Sequence, residues 1–246
     1  MPKSQIIKDI VEEKASLEQS LNRLYILALD VKNTTLANWA EKELSGYDST
    51  DELPEYRKAV NLTLRYTGIN GSFQVTNQPL PLSFIKKEHR DRLEIIELYD
   101  SIRYLSELAS ADRQSEKDVS ILAGEVLEST NGQVQCISIK QIIPQAIFQN
   151  ACAQVKHKMI QALMELEKNY GNLDKLGIDI SGKNMAQIAV DNAELNRTVL
   201  NINIPTSEAP KEKLPSKLAW NIIIPIITGV IGAVIGAALI AYLGIG

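Results

Sequence analysis

Histidine and cysteine are scarce in this chain: His89 and His157 are its two imidazoles, and Cys136 and Cys152 its two thiols, among 246 residues. Neither cysteine has a cysteine or histidine at a metal-ligand spacing. That argues against a zinc site and a disulfide framework, and it suits a reducing cytosol. Neither histidine stands in a recognisable arrangement with a nucleophile and an acid, and no Gly-rich phosphate loop or paired-histidine metal motif occurs. Gly68-Ile69-Asn70-Gly71 reads as turn chemistry, and Asp9, Glu12 and Glu13 read as carboxylates on the wet side of an amphipathic helix. A protein without catalysis, metal or cofactor is expected. A surplus of positive charge is also lacking. Lys and Arg number 26 against 30 Asp and Glu, a net charge of −4, which argues against a general nucleic-acid coat. In the opening MPKSQIIKDIVEEK, charges break up the isoleucines, so no secretion signal is read there.

Charge is absent altogether from Leu218 to Gly246. That stretch exceeds the roughly 20 apolar residues that cross a bilayer core, so a transmembrane helix is predicted over 218–246. Trp220 and Tyr242 lie about 33 Å apart along such a helix, the separation of interfacial aromatic anchors. Lys211, Lys213 and Lys217 precede it, and the positive-inside tendency keeps the residues before them in the cytosol. The expected topology is single-pass, with the amino-terminal domain cytoplasmic. Gly229, Ala233, Ala237 and Ala241 recur every fourth position, and Gly232 with Gly236 forms a second small-residue pair. Such a face lets helix backbones approach closely, where lipid supplies no hydrophobic force between them. A homo-oligomer is therefore expected, with a tetramer the guess from common symmetry. Several copies together could line a mostly apolar pore that closes by dewetting.

Ahead of the span, PTSEAPKEKLPS carries three prolines and alternating charges, and residues 205–217 read as a semi-rigid linker. Residues 3–204 are left as a cytosolic domain large enough to bury a core. Its predicted class is mainly α (α+β), helical with a small β-hairpin and strand element. Ser16-Leu17-Glu18-Gln19 is a capping box, and Leu17, Leu21, Leu24 and Ala28 follow at helical steps to about Val31. A second helix from Thr34, burying Leu36, Trp39, Ala40 and Leu44, stops at Gly46 and pairs with the first. Val60, Leu62, Leu64 and Tyr66 alternate up to Asn70-Gly71, then Phe73 and Val75 follow, which predicts a hairpin. A strand is expected over Gln133–Ile139, and a long core helix over Pro144–Tyr170 with the seam Phe148, Cys152, Val155, Met159, Leu163 and Leu166. Val199–Pro205 alternates asparagine with aliphatic residues and predicts a late strand.

Ser83 is expected to cap a long amphipathic helix carrying Leu93, Ile96, Tyr99, Ile102 and Leu105. Its first turns hold Lys86, Lys87, His89, Arg90 and Arg92 against Glu88 and Asp91. They read either as a phosphate or oligonucleotide site, since cations beside free amides favour anions, or as a solvated face with local ion pairs, the commoner arrangement. Lys156, His157 and Lys158 lie partly off the seam of the long core helix and carry the same two readings.

The stretches ASLEQSLNRLYILALDVKNTTLANWAEKELSGY, DELPEYRKA, PLPLS and QAIFQNACAQVKHKMIQALMELEK resemble the AbiTii domain of bacterial abortive-infection systems. The resemblance spans about residues 3 to 170. ELSGY, ELPEYR, the valine-basic-x-basic run and MELEK are its most specific pieces. It implies an α-rich regulatory or sensing domain of antiviral defence, often fused to an element that harms the cell. Here that element would be the membrane helix. Lys156 and Lys158 stand where the family pattern tends to have arginine, which exchanges a bidentate fork for a point charge. The expected function is a membrane effector whose domain senses an infection signal, such as a nucleotide or oligonucleotide from a partner nucleotidyltransferase, and controls a leaking pore. The alternatives are a membrane-tethered adaptor and, more weakly, a nucleic-acid sensor without a pore.

Overall fold

Ser16 starts the first long helix as its capping box dictates. Its Oγ accepts from the Gln19 amide at 3.1 Å, and the Gln19 side chain accepts from the Ser16 amide at 3.2 Å. The computed structural model describes residues 3–175 and 177–201. It opens with a short helix α1 (Gln5–Val11) and this capped α2 (Leu17–Asp30). Asn33 caps α3 (Thr34–Ser45) through its Oδ1, 3.0 Å from the Leu36 amide. Leu21, Leu24, Leu27 and Ala28 of α2 then meet Leu36, Ala37, Trp39 and Ala40 of α3 in one buried cluster.

The far wall of this cluster is α7 (Gln145–Tyr170), the longest helix among the described residues, through Val155, Met159, Ala162, Leu163 and Leu166. Full burial of each large aliphatic side chain stabilises by about 1.5–3 kcal/mol, so this cluster dominates the helical half. Phe148 is buried as the seam requires, and Cys152 is partly covered. Gly171, at φ +84°, ends α7.

The second half is an antiparallel sheet in the order β3-β2-β6-β5, built from β2 (Leu64–Asn70), β3 (Phe73–Pro79), β5 (Ser115–Asp118) and β6 (Val134–Ile143). Leu64, Tyr66, Val134 and Ile139 face a small core with Val126 of α6 (Ala123–Ser129). A register shift at Gly68 brings the backbones so close that a Cβ there would meet the Gln135 carbonyl at 2.0 Å.

Several expectations are corrected. Val60 does not open the hairpin; it belongs to β1 (Lys58–Val60), which pairs with β4 (Ile95–Glu97) as a separate two-stranded sheet. The hairpin loop is Gly71-Ser72, one residue later than Asn70-Gly71, because Asn70 already pairs with Phe73 and Gly71 takes φ +60°. No long helix runs from Ser83 to Leu105. Instead α4 (Lys87–Glu94) stops where the β-branched pair Ile95-Ile96 finds β1, and Ser101 then caps α5 (Ile102–Ser110). The expected strand over Val199–Pro205 fails at its start, since Val199 and Leu200 close α8 (Met185–Leu200) with Val199 buried. Asn201 follows α8 in the left-handed conformation, and residues 202–205, the linker 205–217 and the span 218–246 lie outside the described residues. Among the described residues no helix is long and apolar enough to cross a membrane.

Candidate functional site

Glu43 falls on the apolar stripe of α3, four residues after Trp39 and three after Ala40, so helical geometry carries a carboxylate into the core. Arg57, at the end of the short turn Glu55–Arg57, meets it there. Both side chains are 0% exposed. A charge taken out of water demands partners, and here nearly every polar atom has one. One Glu43 oxygen accepts from the Arg57 guanidinium; the other accepts from the Tyr47 and Tyr56 hydroxyls at 2.7 and 2.6 Å. Trp39 Nε1 donates to the Tyr56 hydroxyl at 2.8 Å. Arg57 also donates to the carbonyls of Leu98 and Asp100 at 3.1 and 2.5 Å and stacks over the Tyr47 ring, 5.0 Å from its centre. Its Nε has no partner among the described residues.

Burial, followed by the nearby Glu43 carboxylate, pushes both phenols far above their ordinary pKa, so each stays protonated and donates to Glu43. Gly46 completes the lock. At φ +95° it lets the chain turn against Tyr99–Ser101, where a Cβ would stand 2.9 Å from the Tyr99 carbonyl, and the Tyr47 amide bonds that same carbonyl at 2.7 Å. ELSGY and ELPEYR thus converge on one buried polar network that fastens α3 to the segment between β4 and α5.

A groove of about 610 Å³ opens beside Tyr56, walled by Trp39, Leu53, Pro54, Tyr56, Lys158 and Leu200. Lys158 Nζ lies 2.6 Å from the Val199 carbonyl in the last turn of α8, and 5.8 Å from the centre of the Tyr56 ring. Burial pulls its pKa below the usual lysine range, against a smaller upward pull from Glu43. Among the described residues it makes no ion pair with a carboxylate.

The seven cations expected to bind a ligand do not form one site. Glu125 of α6 already occupies the amide end of α4: its carboxylate accepts from the Lys86 amide and lies 2.6 Å from His89 Nδ1. Burial would raise the Glu125 pKa, but these partners outweigh it and hold the carboxyl low. The Lys86 ammonium is 3.9 Å from Glu128, and Lys87 is exposed. Arg90 keeps a buried Nε without a partner among the described residues, and Arg92 lines a separate groove with Tyr99, Tyr104 and Arg113. Lys156 pairs with Glu13 at 2.8 Å. Only Lys158 faces the groove beside the buried network. The network itself escaped the sequence reading, although Glu43 on an apolar stripe was its available signal. The packing positions Gly229, Gly232, Ala233, Gly236, Ala237 and Ala241 lie outside the described residues.

Glu167, in MELEK, ties Lys3 and Ser4 to α7. It accepts from the Ser4 amide and hydroxyl at 2.6 and 2.5 Å and from Lys3 at 2.8 Å. Burial would raise its pKa, yet these donors bring it down to about 2.

The buried network, Ser4 and Glu167 lie within the segment matched by a family model, while Lys3 precedes it and Val199 and Leu200 follow it. The AbiTii model aligns with residues 4–190, about three quarters of the chain. Comparison with curated proteins and with solved structures returned no match.

Proposed function

The chain belongs to the AbiTii family, and so to abortive-infection defence against phage; from that premise we propose that it is a membrane effector of such a system. Its domain over 3–204 senses an infection signal of nucleotide type, the linker over 205–217 passes the change on, and the tail over 218–246 assembles with other copies, as a tetramer or similar ring, into a pore that leaks the inner membrane. The observation that carries this reading is the division of the chain. The family match ends at residue 190, and beyond it stands an uncharged stretch longer than a bilayer crossing, with a glycine and alanine face. For a signal to act, it must bind the closed and open assemblies with different affinity.

The test replaces 218–246 with an unrelated leucine-rich span and compares ion flux in liposomes and survival of phage-infected cells. Loss of flux and protection in the swapped protein supports the pore. Full protection with the foreign span makes the chain a tethered adaptor instead.

A further inference from the structure

The four-stranded sheet ends in two edge strands, and they are unlike. β5 is four residues long, and three of the four, Glu116, Lys117 and Asp118, are charged. Shortness and charge keep an open edge from pairing with another chain. β3 is seven residues long and carries no charge. Along it only Val75 is half-buried; the other residues are exposed, Phe73 to 76%. The usual protection of an edge is therefore present at β5 and missing at β3.

The ladder decides which backbone groups β3 offers. Asn70 and Phe73 close the two-residue loop and exchange both of their bonds, Ile69 and Gln74 do not, and Gly68 and Val75 do so again. The N–H and C=O of Gln74 therefore point away from β2, and those of Thr76, two residues on, point with them. Asn77, at φ 54°, and Pro79, which has no N–H, end the open stretch.

We propose that β3 pairs edge to edge with β3 of a second copy of this chain, antiparallel about a two-fold axis at Val75. In that register Gln74 stands opposite Thr76 of the second copy, and the reverse, so the four outward N–H groups meet the four outward carbonyls. Two observations favour a second copy over a foreign strand. A strand that pairs with itself about an axis sets each side chain against its own kind or a near neighbour, so any net charge would be repelled, and β3 has none. Gln74 and Thr76 carry side chains that both donate and accept, so the amide of one copy suits the hydroxyl of the other in either role. Val75 meets Val75 at the axis. The pairing joins two four-stranded sheets into one of eight, whose remaining edges are the charged β5 strands, so the assembly closes at two. It needs neither the tail nor a signal, and it stands or falls apart from the pore.

An interface of one short strand buries less than the roughly 1,200 Å² of a standard one, so the dimer is weak and a covalent trap is the fitting reporter. The experiment uses the full chain in detergent micelles, with Cys136 and Cys152 replaced by serine so that a single introduced thiol reports. Val75→Cys stands opposite its own copy at about 4.5 Å between Cα atoms, the spacing of a non-bonded strand pair and within disulfide reach. Under diamide it is expected to form the disulfide dimer at least tenfold faster than Lys117→Cys on the β5 edge. Copies gathered by the tail alone would react alike at the two positions. Adding Gln74→Lys and Thr76→Lys sets lysine against lysine across the axis and should slow the Val75→Cys cross-link at least tenfold. Adding Gln74→Glu and Thr76→Lys instead sets opposite charges together and should keep it. Both positions are exposed, so both pairs of substitutions should leave the thermal unfolding of the uncross-linked chain unchanged. Cross-linking at Val75→Cys no faster than at Lys117→Cys overturns the proposal. So does an equal rate in the Lys/Lys and Glu/Lys chains.

Discussion

The helical half and the sheet half of this domain differ in where they hold their ion pairs, although Gln141 of β6 is buried and bonded to the Asn61 and Leu93 carbonyls. Around α2, α3 and α7, charged and polar side chains are taken inside and held by partners, Glu43 with Arg57, Ser4 with Glu167, and Asn33 through its Oδ1 at the start of α3, while Arg57 Nε and Asn33 Nδ2 have none among the described residues. Around the sheet the ion pairs stay near water, as with Lys140 and Glu116, and β3 is exposed along almost all of its length. A buried pair is costly unless every partner is present, whereas a surface pair adds little either way. ELSGY, ELPEYR and MELEK all lie in the helical half and each supplies a carboxylate or arginine to these buried or half-buried ties.

The difference is largest at the network. Glu43→Ala leaves the Arg57 guanidinium and two phenols buried without their acceptor, and should cost about 3–5 kcal/mol in urea unfolding. A loss under 1 kcal/mol would mean that the pair is hydrated and the contrast between the halves false. Glu167 sharpens the contrast through pH. Its folded pKa is held down to about 2, so its contribution is complete above the ordinary carboxyl range and is lost as pH falls from there toward 2. Glu167→Gln should therefore destabilise by about 1–3 kcal/mol at neutral pH and flatten the acid limb of stability against pH. An acid limb identical to the parent's would show that the tie to Ser4 contributes nothing. The smallest effect belongs to the sheet: Phe73→Ser, at a side chain 76% exposed, should shift stability by less than about 0.5 kcal/mol. A larger loss in the monomer would place a hidden core beneath the hairpin.

Legibility in the sequence followed locality. The Ser16 box, the stripe of α3, the seam of α7 and the stops at Gly46 and Gly171 depend on residues within a turn or two of each other, and each stands where it was read. The break between α4 and α5 was hidden because Leu93, Ile96 and Tyr99 keep helical spacing, and only the pairing of Ile95–Glu97 with β1, more than thirty residues upstream, makes a strand of it. β5, with the sequence SEKD, has no alternation at all and is a strand only because β6 holds it. The segment Val199–Pro205 alternates asparagine with aliphatic residues from Leu200 on, like a strand, yet helix closure takes its first two residues and buries Val199 against the core. For the site, the basic residues near α4 were visible as a cluster of like charges. That Glu125 fills the end of that helix from 39 residues away was not.

Composition, periodicity and capping by themselves determined the helical character of the domain, its main helices and an uncharged tail, because those properties are set by side chains that are neighbours along the chain. Tertiary structure alone decided that Glu43 and Arg57 meet where no water reaches, and that Lys158, of seven candidate cations, is the one facing a groove. Both outcomes depend on which distant surfaces exclude solvent together, and a buried charge shows its partner only once the chain has closed around it.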